Sequence, residues 1–153
     1  MEPLIIGAVI MINVLEKSCM ILNKEIKAII VYTDNGLTVT LAGGDKSHIG
    51  AVTVVDESGK ITTITFPEHK ETIISETWAK GLFKSYHIPV VVSAGIHYDV
   101  ITKEQIAEVV EASYSLLNLI LEESKDFVCS LLEAEEKKFL DLQNYIVQKK
   151  LWL

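Results

Sequence analysis

Three histidines stand near acidic residues at points where apolar, strand-like segments are interrupted. His48 follows Asp45 in the stretch LAGGDKSHIGAV, and His97 precedes Asp99 in SAGIHYD. His69 lies between them along the chain, in PEHKE. Imidazole can bind a metal ion, hydrogen-bond to an anion or exchange a proton near pH 7, and a neighbouring carboxylate can orient the ring. We therefore predict a functional site wherever the fold brings these three segments together.

Glycines and one lysine in the same segments indicate that an anion is one candidate ligand. The glycines are Gly43, Gly44, Gly50 and Gly95. Backbone without side chains lets amide groups approach a phosphate closely, and Lys70 would add a positive charge. No Walker loop or GxGxxG motif is present, so a bulge or tight bend is an equal alternative for the glycines. The alternative for His69 and Lys70 is an exposed helix start, where Glu71 supports the helix dipole.

A metal site is a second use for these residues. His48, His97 and Asp45 are the candidate ligands, and such a set would suit zinc or another transition metal. No HxH or HExxH spacing requires one. Nucleophilic catalysis has less support, because Ser47 and Ser93 lie outside any GxSxG elbow. A metal-dependent enzyme using His48 and His97 therefore remains an alternative, and an enzyme is less favoured than a non-catalytic protein.

The composition indicates a folded protein and limits its partners. The 153 residues are 49% hydrophobic and carry a formal net charge of −7, which predicts one domain over 1–153. Every basic residue is lysine, so forked guanidinium contacts to phosphate are excluded and nucleic acid is not an expected partner. Cys19 and Cys129 have no metal-binding spacing, and we expect two buried thiols in a reducing, cytoplasmic setting.

The first 24 residues form an apolar N-terminal segment whose structure the pattern does not decide. Its run 4–15 lacks a basic leading region and is too short to span a bilayer. We expect a strand or helix packed on the core or on a partner subunit, and no membrane association.

The middle of the chain predicts an antiparallel β-meander. Its strands are expected at 26–33, 37–41, 51–56 and 61–66. The first pair flanks Asp34-Asn35-Gly36, a strong hairpin turn, and the loop 43–50 leads into the second pair. A helical pattern over 71–86 and a continuously apolar strand over 88–93 then indicate a crossover onto the middle of the sheet. The predicted fold is α+β (α/β), a meander extended into a mixed sheet with a crossover helix and a long C-terminal helix.

The C-terminal helix is expected to begin at Thr102, which can form a capping box with Gln105. No glycine or proline follows, and the apolar stripe continues to Lys149. Such a helix would be about 70 Å long, more than twice the width of a small domain. We therefore expect the extension 111–153 to be an oligomerisation element, in which 127–152 folds back as a hairpin or packs against a second copy.

Together, GGDKSHIGAV, PEHKE and AGIHYDVITKEQI resemble the motif set of the prenylated-flavin chaperone family, the small D subunit associated with gallate-type hydroxyarylic acid decarboxylases. The resemblance covers residues 37–110, and a more distant one connects the chain to the proteasome assembly chaperone fold, which forms dimers. It implies a non-catalytic homodimer that binds prenylated flavin mononucleotide (FMN) or delivers it to a UbiD-type decarboxylase. A scaffold of the assembly-chaperone type is a further alternative.

The same resemblance implies a set of cofactor-binding residues. They are Gly43, Gly44, Asp45, His48, Gly50, His69, Lys70, Gly95, His97, Tyr98 and Asp99. Glycine amides and Lys70 could hold the phosphate, and Tyr98 or His97 could lie on the planar ring. Two features depart from the family pattern: Lys46-Ser47 stands where a proline is expected, and the helix after Val110 exceeds the usual ending.

Overall fold

The computed structural model describes the backbone of residues 13–150, and the side chains of these residues except 124–132, 134, 135, 149 and 150. Most of the apolar run 4–15 and the side chain of Cys129 lie outside the described residues, as do the last three positions of the predicted oligomerisation element. Cys19 is half-buried rather than buried, and this burial raises the pKa of its thiol.

Six strands and two helices make up the described chain, and the predicted α+β fold is confirmed. The strands are β1 (Asn13–Ile21), β2 (Lys24–Thr33), β3 (Gly36–Gly44), β4 (Lys46–Val55), β5 (Ile61–Thr65) and β6 (Val90–His97). The helices are α1 (Thr72–Tyr86) and α2 (Lys103–Lys150). The N-terminal segment whose structure the sequence left open contributes β1, which pairs antiparallel with β2.

The strand order β1-β2-β3-β6-β4-β5 confirms the predicted mixed sheet and corrects one detail: β3 and β4, which are consecutive in the predicted meander, are separated by β6. β6 lies parallel to β3 and antiparallel to β4, so β3 and β4 are not neighbours in the sheet although they follow each other in the chain. The loop predicted over 43–50 is also wrong, because β3 runs to Gly44 and β4 begins at Lys46. Asp45 alone joins them, and its N–H donates to the carbonyl of His97 at the end of β6 (2.6 Å). The chain thus crosses over the end of the strand inserted between them.

The core lies between one face of this sheet and α1. Ile30, Val39, Val92 and Thr53 are register partners across four strands, and none is exposed. The Thr53 hydroxyl lies 2.8 Å from Ser75 Oγ on α1. Burial of this apolar row is the main favourable term in folding and fixes α1 above β4 and β6.

The predicted capping box is present at the start of α2. Thr102 Oγ1 accepts from the N–H of Gln105 (3.2 Å), and Gln105 Oε1 accepts from the N–H of Thr102 (2.9 Å). The helix then continues without a turn to Lys150, which excludes the hairpin alternative within it. Packing divides the chain into a first unit ending at Asn118 and a second starting at Leu119. Within the described residues, neither helix has an apolar stretch long enough to cross a bilayer.

Candidate functional site

A bulge between β4 and β6 positions His48. The pairing register shifts between Ser47, opposite Ile96, and Ala51, opposite Ala94. A Cβ atom at Gly95 would overlap the His48 carbonyl, so only glycine lets the bulged backbone come this close. His48, the third residue of β4, therefore lies in the bulge, next to Gly95 of β6.

The three predicted segments converge around His48. Its Nε2 lies 3.0 Å from His69 Nδ1 and 2.9 Å from Glu71 Oε1. The rings of His48 and His69 have centroids 4.4 Å apart, and the ring of His97 meets that of His48 edge-on at 6.1 Å. The rings of the other two predicted histidines, His69 and His97, thus both contact the ring of His48.

Glu71 belongs to this cluster, although sequence reasoning placed it only at a helix start. It is the N-cap residue of α1, its side chain makes no capping hydrogen bond, and the residue is only 8% exposed. Its Oε2 has no hydrogen-bond partner among the described residues and lies 3.9 Å from His69 Nδ1. Gly50 makes room for this carboxylate, because a Cβ there would overlap Oε2. No local pattern distinguishes such an acid from one that supports the helix dipole.

Asp45 and Asp99 take part in a separate network. The N–H of Asp99 donates to Asp45 Oδ2 (2.9 Å), and Lys24 Nζ lies 3.3 Å from Asp45 Oδ1. The backbone hydrogen bond from Asp99, and then Lys24, hold the pKa of the Asp45 carboxyl below its usual value. His97 Nε2 lies 3.2 Å from Asp99 Oδ1. The structure therefore groups His48 with His69 and Glu71, rather than with His97 and Asp45, as potential metal ligands.

The remaining predicted residues lie at the ends of β3 and β6. Gly43 pairs with Ile26 and Gly44 with His97, so both glycines lie inside the sheet, where a Cβ atom would overlap the neighbouring backbone. The Tyr98 hydroxyl donates to the Ile21 carbonyl (2.8 Å), and burial raises its pKa.

A pocket of about 430 Å³ adjoins the histidine cluster. Its aliphatic lining comes from Ile73 and Ile74 of α1, Ile96 of β6, Ile101, and Ile106, Val109 and Val110 of α2. Its polar lining comes from Glu68, His69, Lys70, Glu71, His97 and Tyr98. The pocket is thus apolar with a few convergent polar groups, the usual character of a small-molecule site.

Comparison with known proteins assigns the chain to a family. The family model of the prenylated flavin chaperone LpdD-like domain matches residues 22–125. Protein LpdD of Lactiplantibacillus plantarum is 35% identical over 88 residues, 54% of this chain, and the match spans 65% of that relative's length. A solved chaperone complex for yeast 20S proteasome assembly contains a chain that is 11% identical, with a TM-score of 0.46 over 78% of this chain and 96% of its own. Because the family model covers more than half of the sequence, the protein belongs to the prenylated flavin chaperone LpdD-like family.

Proposed function

We propose that the protein is a non-catalytic accessory protein that binds prenylated FMN and delivers it to a UbiD-type decarboxylase. The observation that carries this proposal is the pocket beside the three converging segments. Family membership supports a role in handling prenylated flavin, and a pocket of this kind could hold the cofactor within one chain.

The size and chemistry of the pocket suit this ligand. A volume of about 430 Å³ falls within the roughly 300–1,000 Å³ typical of small-molecule sites. The aliphatic side chains of α2 and β6 would cover the planar, prenylated ring system and exclude water from it. His97 and Tyr98 belong to the polar lining, where a flavin ring nitrogen could donate or accept a hydrogen bond and a ring carbonyl could accept one.

The phosphate of the cofactor would be bound near Lys70. This residue is exposed and contributes the only lysine of the pocket lining. It precedes α1, and a helix presents unpaired backbone N–H groups and a partial positive charge at its N-terminus. In a protein without arginine, this combination is the expected way to bind a phosphate.

Binding is tested by anaerobic titration of the purified protein with reduced prenylated FMN. We expect a change in the flavin absorption spectrum and an increase in Tm. Ile106→Glu should abolish both, because it places a charge in the pocket wall, whereas Ala107→Glu on the adjacent, exposed position of α2 should not. Absence of any spectral or thermal response from the wild-type protein would contradict cofactor binding.

Delivery is tested separately, with an apo-decarboxylase of the UbiD type as acceptor. The loaded protein should activate this enzyme faster than the same concentration of free cofactor, and Ile106→Glu should remove the advantage. Tight cofactor binding without faster activation would contradict delivery and leave binding intact.

We also propose that α2 packs against a second copy of the chain. The part of α2 that belongs to the second unit of the chain exposes several large apolar side chains. They are Phe139, Leu140, Leu142, Tyr145, Ile146 and Val147. Phe139, Leu142 and Ile146 follow the spacing of one helical face. Soluble monomers rarely expose a contiguous apolar surface of this kind, so an identical helix is the proposed partner.

A further inference from the structure

We propose that His48, His69 and Glu71 bind a divalent transition-metal ion, with Zn²⁺ as the best match. Each residue offers one ligand atom, and these atoms all lie within 4.8 Å of one another. Two imidazole nitrogens and a carboxylate oxygen form a ligand set found in zinc sites that keep a position open for another ligand. The proposal concerns the unliganded protein and does not depend on flavin binding.

The distances within the cluster suit a tetrahedral ion. Ligand atoms about 2.1 Å from a central zinc lie about 3.4 Å from one another. The observed separations are 2.9 Å between His48 Nε2 and Glu71 Oε1, 3.0 Å between His48 Nε2 and His69 Nδ1, and 3.9 Å between His69 Nδ1 and Glu71 Oε2. The last distance involves the second carboxylate oxygen. The three ligand atoms that one ion would use all lie within 4.8 Å of one another, so changes of up to about 1.4 Å in these separations would complete the site.

The protons available in the cluster do not satisfy all of these atoms. His48 Nε2 faces both a carboxylate, which only accepts, and the Nδ1 of His69. A proton on Nε2 points well at only one of these two partners, and without that proton Nε2 can accept from His69 Nδ1 but cannot bond to the carboxylate. One metal ion would instead accept electron pairs from all three residues at once.

The burial of Glu71 favours a cation beside its carboxylate. Its side chain is 10% exposed, and Oε2 has no hydrogen-bond partner among the described residues. A buried carboxylate is costly unless it is paired or bound to a metal. An ion at this position would offset the charge, and Gly50 leaves the carboxylate the room to face the two rings.

The ion would lie at the edge of the pocket, because His69 and Glu71 also contribute to the pocket lining. Three protein ligands leave at least one coordination position for water or for an oxygen atom of a molecule in the pocket. This arrangement would make occupancy of the metal site and of the pocket thermodynamically linked.

The test is a titration of the full-length, EDTA-treated protein with Co²⁺ at pH 7.5, without flavin. We expect visible d–d absorption that saturates at one Co²⁺ ion per chain and disappears when Zn²⁺ displaces Co²⁺. Either metal should also raise Tm. His69→Gln and Glu71→Gln should each weaken Co²⁺ binding by about tenfold or more.

His87→Asn is the matched control. It removes a histidine that ends α1 in the left-handed conformation (φ 54°), which asparagine tolerates, and His87 is not part of the cluster. This variant should bind Co²⁺ as the wild type does, with far-ultraviolet circular dichroism confirming that all variants fold. The proposal is overturned if the wild type shows no saturable spectrum, if His87→Asn is equally impaired, or if His97→Gln abolishes binding while His69→Gln retains it.

Discussion

Gly50 on β4 lies against the Glu71 carboxylate so closely that a methyl group on Gly50 would overlap Oε2. Gly50→Ala should therefore displace Glu71 from His48 and destabilise the protein by about 1–3 kcal/mol, because the methyl group enters a filled, buried space. The free energy of unfolding in urea measures the loss. Co²⁺ titration of the folded variant should show weaker binding than in the wild type.

Gly36→Ala is the control for this substitution. A Cβ there would meet only the Pro89 carbonyl and Thr33 Oγ1, both at 3.5 Å, and the residue has no positive φ. We expect a change in stability of less than about 0.5 kcal/mol. Equal destabilisation by both substitutions would mean that Gly50 matters only as a strand glycine, with no specific role for Glu71.

The sequence predicted the local elements better than their arrangement. The Asp34-Asn35-Gly36 turn and the Thr102 capping box have signatures of a few adjacent residues, and both occur as predicted. The insertion of β6 between β3 and β4 depends instead on contacts between residues 35 to 53 positions apart. No local pattern reveals that Asp45 lies over the end of β6, a strand that comes later in the sequence.

The candidate site shows the same division. The histidines and glycines were recognisable because their types are unusual in strand-like surroundings. Glu71 was missed because an acidic residue at a helix start is ordinary, and its role depends on burial beneath Gly50. The grouping of His69 with His48, in preference to His97, follows from the β4 bulge.

The buried hydrogen bond between Trp78 and Ser113 should contribute measurably to stability. Trp78 Nε1 donates to Ser113 Oγ (3.1 Å), and neither residue is exposed. Ser113→Ala should leave the indole N–H without its acceptor and cost about 1–3 kcal/mol, measured by chemical denaturation. Ser115→Ala, an exposed position on the same helix, should change stability little. Because alanine has the higher helix propensity, a loss at Ser115 as large as that at Ser113 would contradict a specific role for the buried hydrogen bond.

The capping box should set the stability of the start of α2. Thr102→Ala removes the acceptor of the Gln105 N–H and should cost about 1 kcal/mol. Thr102→Ser keeps a hydroxyl at the same position and should retain most of this stability. Thermal unfolding followed by circular dichroism compares the two variants. A Tm for Thr102→Ser as low as that for Thr102→Ala would contradict a role for the hydroxyl.

Stability should decline in acid partly through Asp45. Its folded-state pKa lies below the value of about 3.9 in an unfolded chain, so the ionised carboxylate stabilises the fold above that pH. This contribution is lost as the pH falls through the folded pKa, when Asp45 no longer accepts the Asp99 N–H as an anion. Asp45→Asn should therefore lower the urea midpoint at pH 6 and show a smaller decline from pH 6 to pH 3 than the wild type. Asp34→Asn, in an exposed turn, should follow the wild-type decline.

The proposed pairing of α2 predicts that one charge on its apolar face changes the oligomeric state. Ile146 is 46% exposed and lies on the same face as Phe139 and Leu142. Ile146→Glu places a carboxylate between apolar surfaces, where an unpaired charge is strongly disfavoured, so the dimer should dissociate. Gln148→Glu adds the same charge at an exposed position on the opposite side of the helix from Phe139 and should leave the dimer intact. Light scattering coupled to gel filtration measures the mass, and a monomeric wild type would contradict the proposed pairing.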